Sequence, residues 1–266
     1  MKKRRKPPSS PNLPRAIDEI SSLAVLNFAN ALNASPELTK LYEAGKDWAH
    51  TLVTAAFLEE AHEPLWLIPH NSAAIMNTLV ESWTEKREPA CKAGCHFCCY
   101  MRVVATAPEI LLIAREIIGT RSSEQLAALT GQLKKNVEKI SGLSAMKHAE
   151  ARLPCPLLDE KGQCSVYEAR PLSCRKWASF DASQCEKSFQ APSAKAQVGI
   201  SSNTYVLGSG LSVGLSEALA KRGLEGRFYE LQSALLQALE TPDIEARWLR
   251  GEPIFEGCIL SEFERK

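Results

Sequence analysis

The stretch that organises this sequence is Cys91-Lys-Ala-Gly-Cys95-His-Phe-Cys98-Cys99. It places four thiols close together, with gaps of three, two and zero residues between them. Thiolates two or three residues apart can bind one ion when the chain bends between them, and Gly94 supplies conformational freedom for that bend. A single cysteine is most often a small buried hydrophobic residue, but four so close together indicate a metal site.

Four more cysteines follow downstream. They are Cys155, Cys164, Cys174 and Cys185. Together the eight thiols exceed the four ligands that one tetrahedral zinc ion or one ordinary iron–sulfur cluster needs. We therefore predict two metal positions, or one cluster plus a separate thiol pair. The ninth cysteine, Cys258, is far from the others in sequence and is predicted to be a buried thiol that binds no metal.

The adjacent residues Cys98 and Cys99 indicate how the thiols are divided between metal positions. Neighbouring side chains diverge in an extended or irregular segment, so both seldom bind the same ion in a relaxed geometry. We expect them to serve two metal positions, or two irons of one cluster. A strained vicinal disulfide is the alternative.

Metal-bound thiolates accumulate negative charge, which nearby cations and hydrogen-bond donors balance. Arg170 and Arg175 lie on either side of Cys174 in sequence. We predict that they contact the thiolate ligands and do not bind the metal themselves. His96 lies inside the first cysteine group and could replace a thiol as a ligand. With enough thiols present, we expect His96 to lie behind the ligands or at the surface.

Residues 15–88 show the apolar spacing of amphipathic helices. The aligned positions are Ile20, Ala24, Phe28 and Leu32, then Leu41, Trp48, Leu52 and Ala56, then Ile75, Leu79 and Trp83. Ser35 followed by Pro36 predicts a helix start, and a third helix is predicted to start near Asn71. We interpret these stripes as core packing, not as the lining of a cofactor pocket.

Two capping-box patterns predict further helices after the first cysteine group. They are Thr106 with Glu109 and Ser122 with Gln125. The segment 156–163 has short apolar flanks around a polar turn that contains Gly162. This pattern predicts a small β-hairpin with Cys155 and Cys164 at its base.

The C-terminal part begins with a small, polar stretch, 191–204, that is typical of a connector. Three glycines follow, and because their spacing is not that of a dinucleotide-binding fingerprint we predict a loop there. These glycines are Gly208, Gly210 and Gly214. A later apolar stripe predicts an amphipathic helix, and residues 243–250 are predicted to add a short one. The stripe consists of Phe228, Leu231, Leu235 and Leu239.

The chain has 266 residues, of which 32 are basic and 31 acidic. This balance provides no overall field for a nucleic acid or a membrane surface. Residues 1–14 are a basic, proline-rich tail that we predict to be disordered. They are not expected to form a signal peptide, because no apolar stretch follows their charges. No apolar run approaches the roughly 18 residues of a membrane span. We expect a cytoplasmic protein with no specific nucleic-acid partner, in a reducing setting that favours metal binding over disulfides.

Together these patterns predict a mainly α protein whose irregular, cysteine-rich metal-binding centre carries a small β-hairpin and is flanked by helices. We divide the chain into the tail at 1–14, an N-terminal helical region at 15–88, a cysteine-cluster domain at 89–190 and a C-terminal helical region at 191–266.

A resemblance to a known family rests on the cysteine spacing and on the residues between the cysteines. The pattern is Cys91-x3-Cys95-x2-Cys98-Cys99, then Cys155-Pro156-x-Leu158-x5-Cys164-x2-Tyr167-x2-Arg170-Pro171-x2-Cys174-Arg175. It resembles the YkgJ family of cysteine-cluster proteins, described as zinc- or iron-chelating domains. The first gap has three residues here where the family label implies two. The resemblance implies metal binding, and a related segment in flagellin lysine N-methylase makes protein modification a conceivable role.

Three functions fit these observations. The first is an iron or iron–sulfur protein in redox or protein-modification chemistry, which the number of thiolates slightly favours. The second is a structural zinc module that rigidifies a helical adaptor and binds a protein partner. The third is metal storage or delivery. No glycine-rich methyl-donor loop, phosphate loop or catalytic triad is recognisable.

Overall fold

A computed structural model describes residue 30 and residues 32–58, 64–82, 89–192 and 198–259. Several predictions from the sequence fall outside these residues. They are the tail at 1–14 and the apolar positions Ile20, Ala24, Phe28 and Trp83.

The described part of the chain is mostly helical, which confirms the predicted fold class. The helices are α1 (Pro36–Ala56), α2 (Pro64–Ser82), α3 (Ala107–Thr120), α4 (Ser123–Ile140), α5 (Ala145–Ala151), α6 (Leu172–Arg175), α7 (Ala182–Gln190), α8 (Ser202–Lys221), α9 (Leu231–Glu240) and α10 (Ile244–Leu249). Short 3₁₀ turns lie at Phe97–Tyr100 and Tyr167–Ala169. The division into regions at residues 89 and 190 stays a prediction.

Local capping explains where several helices begin. Ser35 accepts a hydrogen bond from the Leu38 amide at the start of α1, as predicted. At the start of α4, the Ser122 amide donates to the Gln125 side chain at 2.9 Å, and the Ser122 hydroxyl accepts from the Gln125 amide at 3.3 Å, which confirms the capping box. Helix α2 begins at Pro64, before the predicted start near Asn71, and it contains Pro69 in its interior.

Helix α8 lies in the centre of the fold because it is apolar around most of its circumference. Leu207, Leu211 and Leu215 are completely buried on it. Helices α1, α2 and α6 all pack against it. The predicted loop at Gly208, Gly210 and Gly214 was therefore wrong, since all three lie inside α8.

The close crossing of α1 and α8 explains Gly210 and Gly214, and also Gly45 of α1. A Cβ atom added to Gly210 would lie 2.2 Å from the carbonyl oxygen of Tyr42, and one added to Gly45 would lie 2.8 Å from the carbonyl oxygen of Leu207. No larger residue fits without moving the backbone. Glycine ordinarily weakens a helix, but here its small size permits the contact that buries the helix.

A two-stranded antiparallel ribbon joins distant parts of the chain. Strand β1 (Val104–Thr106) pairs with β2 (Phe228–Glu230), with Val104 opposite Glu230 and Thr106 opposite Phe228. The ribbon was not predicted, and Phe228 lies in it because α9 begins only at Leu231. Helix α9 packs against α3 and α4, so the C-terminal part covers the residues that follow the first cysteine group.

One continuous hydrophobic core connects these elements. It includes Leu41 of α1, Ile110 of α3, Leu172 of α6 and Trp248 of α10, with Cys155 packed against it. Cys258 is a buried member of this core, as expected. Among the helices that the structure describes, none is both long and apolar enough to cross a membrane.

We expect Gly210→Ala to lower the free energy of unfolding by about 2 kcal/mol or more, because the new methyl group overlaps the Tyr42 carbonyl. The matched control is Gly131→Ala in α4, where a Cβ atom meets nothing within 4 Å. That variant should raise stability by up to about 1 kcal/mol. Urea denaturation measures both, and equal stability of the two variants would contradict the close crossing.

Candidate metal centre

The first four cysteines lie on a tight turn that leads into a 3₁₀ turn. The amide of Cys95 donates to the Lys92 carbonyl at 3.0 Å, and Gly94 adopts a φ of +90° that favours glycine. The 3₁₀ turn then places Cys98 and Cys99 side by side. The bend that the sequence predicted at Gly94 is confirmed.

The expected divergence of Cys98 and Cys99 is not what the structure shows. The two thiols hydrogen-bond to each other, and this bond, with burial, raises the pKa of Cys98 far above its ordinary value. The reason is the local backbone, which is a tight 3₁₀ turn and not an extended segment. The pair therefore offers two sulfur atoms in one place.

The hairpin brings Cys155 and Cys164 to this turn. Its ends meet at a single antiparallel bridge between Leu158 and Cys164, and the carboxylate of Asp159 accepts from two amides in the turn. The small hairpin is thus confirmed. The amide of Cys155 donates to the carbonyl of Cys99 at 2.9 Å, which joins the base of the hairpin to the first cysteine group.

Cys174 is carried by the short helix α6, and a buried carboxylate holds this helix in place. Glu109 at the start of α3 accepts from the Thr106 amide at 2.8 Å and from the Leu172 amide at 2.7 Å. Its side chain is only 3% exposed. The predicted capping residue therefore also links α3 to the cysteine segment, which the sequence pattern did not reveal.

Contacts with two further segments hold Cys91 and Cys185. The amide of Ser179 donates to the Cys91 sulfur at 3.1 Å. Cys185 lies on α7, whose Phe189 packs against Tyr100 with ring centres 4.6 Å apart. This aromatic contact holds α7 against the 3₁₀ turn that carries Cys98.

The charges that contribute to the raised pKa values divide the thiols into two overlapping groups. Burial is the main cause of the raised pKa of Cys91 and Cys95, and Cys98 and Cys185 add to it. Burial also raises the pKa of Cys174 well above its ordinary value, with contributions from Cys98, Cys155 and Cys164. Cys98 is the member that both groups share.

The two groups differ in their access to solvent. Cys91 and Cys98 are exposed as whole residues, although protein atoms lie close enough to their thiols to raise the pKa, whereas the other six cluster cysteines are partly covered. At the covered end, burial raises the pKa of Cys155 to about 12. Thiols with raised pKa values are neutral near pH 7, so a metal that binds them displaces their protons.

Arginine side chains lie close enough to the thiols to act on their charge, and the supporting role of Arg170 and Arg175 stays a prediction. The guanidinium of Arg170 lies 3.5 Å from the centre of the Tyr167 ring, and Arg175 donates to the Arg170 carbonyl at 2.9 Å. Burial raises the pKa of Cys164, and Arg170, Arg175 and Arg121 oppose that rise. Arg170 also opposes, to a smaller extent, the rise in the pKa of Cys91, Cys98 and Cys174.

Arg121 was missed by the sequence analysis. It ends α3 far from the cysteines in sequence, and its guanidinium donates to the Ser165 hydroxyl at 2.6 Å. His96, by contrast, faces the hairpin turn, where its Nδ1 atom would lie 3.0 Å from a Cβ added to Gly162. This position agrees with a histidine at the surface or behind the ligands.

The thiols converge on one region, but their side chains do not form a finished coordination sphere. Within the described ranges, no three His, Cys, Asp or Glu side chains are placed to hold one metal ion. The donor set itself suits zinc or iron, because both bind thiolates in tetrahedral arrangements. Rotation about χ1 moves a cysteine sulfur without moving the backbone, so the backbone alone does not fix where each sulfur lies.

Comparison with known proteins agrees with this chemistry. Residues 90–194 match the family model CxxCxxCC, described as "Putative zinc- or iron-chelating domain". The match includes Cys91 despite its longer gap and confirms the predicted resemblance to a cysteine-cluster family. Neither the search of curated proteins nor the search of solved structures found a match.

We expect Arg170→Gln to weaken metal binding by about 10- to 100-fold, because the guanidinium balances charge on several thiols. Chelator competition on anaerobically reconstituted protein measures the affinity. Arg247→Gln is the matched control, since Arg247 pairs with Glu252 on the surface. Equal affinities of the two variants would show that Arg170 does not support the metal.

Proposed function

We propose that this cysteine-cluster domain holds a centre with two adjacent metal positions, filled by iron or by an iron–sulfur cluster. The outer position takes its thiolates from the exposed end. These are Cys91, Cys95, Cys98 and Cys185. The inner position takes its thiolates from the covered end. These are Cys99, Cys155, Cys164 and Cys174.

The contact between Cys98 and Cys99 is the observation that carries this proposal. Cys98 influences Cys91 and Cys95 on one side and Cys155 and Cys174 on the other. Cys99 is tied to the inner group through its carbonyl, which accepts from the Cys155 amide. Two metal positions that meet at the Cys98–Cys99 pair are neighbours, and Cys98 can bridge them.

Adjacent positions favour iron over zinc. An iron–sulfur cluster places several irons side by side and uses thiolates from irregular chain segments, as this arrangement does. A structural zinc site is complete with four ligands and has no need for a shared pair. The exposed end at Cys91 and Cys98 would let electrons or a protein substrate reach the metal, which supports redox or protein-modification chemistry.

A structural zinc module is the second candidate, and one observation favours it. Cys155 and Cys164 pack against the hydrophobic core, so a metal at the inner position would stabilise the fold directly. A reducing compartment such as the cytoplasm would suit either metal, because it keeps clustered thiols available for binding. A labile store of metal ions would instead use the exposed end.

Metal and acid-labile sulfide analysis of anaerobically purified protein tests the proposal. We expect iron with sulfide and a brown colour from sulfide-to-iron charge transfer. Stoichiometric zinc with neither iron nor sulfide would contradict the iron centre and support the zinc module. In that case, removal of zinc by a chelator should unfold the cysteine domain.

Single substitutions test the two-position arrangement. Cys91→Ala should lose only the outer metal, whereas Cys98→Ala should lose metal from both positions, because Cys98 belongs to both groups. Cys258→Ala is the control and should retain all metal, since Cys258 lies in the core. Elemental analysis gives the metal bound per chain. Loss of all metal from Cys91→Ala as well would contradict two positions and indicate one cooperative site.

A further inference from the structure

A buried carboxylate from the C-terminal region lies beside the covered end of the cysteine cluster. Glu230 ends β2, caps α9 and is 5% exposed. It lies outside residues 90–194, which match the chelating family. No pattern in the sequence singled it out, because its position depends on the pairing of β1 with β2.

The two carboxylate oxygens of Glu230 have different surroundings. Oε2 accepts from the amide and the hydroxyl of Ser233, both at 2.8 Å, and so fixes the side chain. Oε1 is buried and has no hydrogen-bond partner within the described residues, although the Gln232 amide is close enough to the carboxylate to oppose the rise that burial causes in its pKa. A buried carboxylate oxygen without a partner is unfavourable, and a bound ion is one arrangement that would satisfy it.

A hydrogen-bond network places Glu230 close to Cys155. The Nδ2 atom of Asn136 donates at 3.0 Å both to the carbonyl of Pro154 and to the side chain of Gln232. Pro154 precedes Cys155, and Gln232 follows two residues after Glu230. The two segments are therefore held together by one buried amide group.

The electrostatics agree with this proximity. Burial is the main cause of the raised pKa of Cys155, and Cys164 and Glu230 contribute to it. Arg102 is a cation whose charge opposes the rise in the pKa of Glu230, and its guanidinium also donates to the Leu143 carbonyl at 3.5 Å. Pairing of Glu230 with Arg102 is thus the competing explanation for the buried carboxylate.

We propose that Oε1 of Glu230 is an oxygen ligand of the inner metal position, beside Cys155. Iron and zinc both accept a carboxylate oxygen together with thiolates. The inner position would then combine sulfur and oxygen donors, and a residue outside the family segment would shape its metal preference. This inference rests on the metal centre proposed above.

Cobalt(II) is a suitable probe, because its visible absorption depends on the number of sulfur and oxygen ligands. We expect Glu230→Gln to bind cobalt at least about 10-fold more weakly at one position, with a changed absorption envelope. Glutamine keeps an oxygen that can accept from Ser233, so the helix cap is retained. Glu240→Gln, at the exposed end of the same helix, is the matched control and should resemble the wild type.

Three outcomes separate the possibilities. If the wild type binds cobalt and Glu230→Gln gives the same affinity and spectrum, Glu230 is not a ligand and this inference is overturned while the metal centre stands. If the wild type binds no cobalt, iron or zinc, the proposed centre and this inference both fail. Should Glu230→Gln not fold, Glu230→Asp keeps the charge but withdraws the oxygens, and an unchanged spectrum would equally overturn the proposal.

Discussion

The buried carboxylate of Glu109 is the interaction on which the arrangement of the cysteine cluster depends. It accepts hydrogen bonds from Thr106, at the end of β1, and from Leu172, at the start of α6. A carboxylate that accepts several bonds in a buried setting is held firmly, because each bond is charge-assisted. It therefore fixes Cys174 relative to the strand that follows the first cysteine group, although these segments are far apart in sequence.

A second constraint is the close packing of the cysteine segment on α8, which connects the helical flanks to the cluster. A Cβ atom added to Gly208 would lie 2.7 Å from the Cβ atom of Lys176, so glycine allows the cysteine segment to lie directly on this helix. Burial lowers the pKa of Lys176 to about 8, even though Glu109 opposes that shift. The metal centre and the flanks thus share one core, and metal binding would stabilise both.

Local signals predicted part of this arrangement, and long-range contacts formed the rest. The bend at Gly94 and the capping box at Ser122 were predictable because their partners lie within a few residues. The glycines of α8 were misinterpreted as a loop, because they make room for distant segments, namely α1 and the side chain of Lys176, and not for their own sequence neighbours. Likewise, a three-residue strand such as β2 has no pattern of its own, and only pairing with β1 defines it.

The cluster has two different ends, and this asymmetry follows from how the chain covers it. Cys91 and Cys98 face solvent on a surface turn, while Cys155 lies against the core and the segment that carries Glu230. A metal near the core would be held by the fold and shielded from exchange, whereas one at the surface would be open to a partner. Because Cys98 and Cys99 are in contact, a change of charge at the open end would act directly on the covered end. Such coupling suits a centre that passes electrons or supports a reaction at its surface, and a purely structural site would not need it.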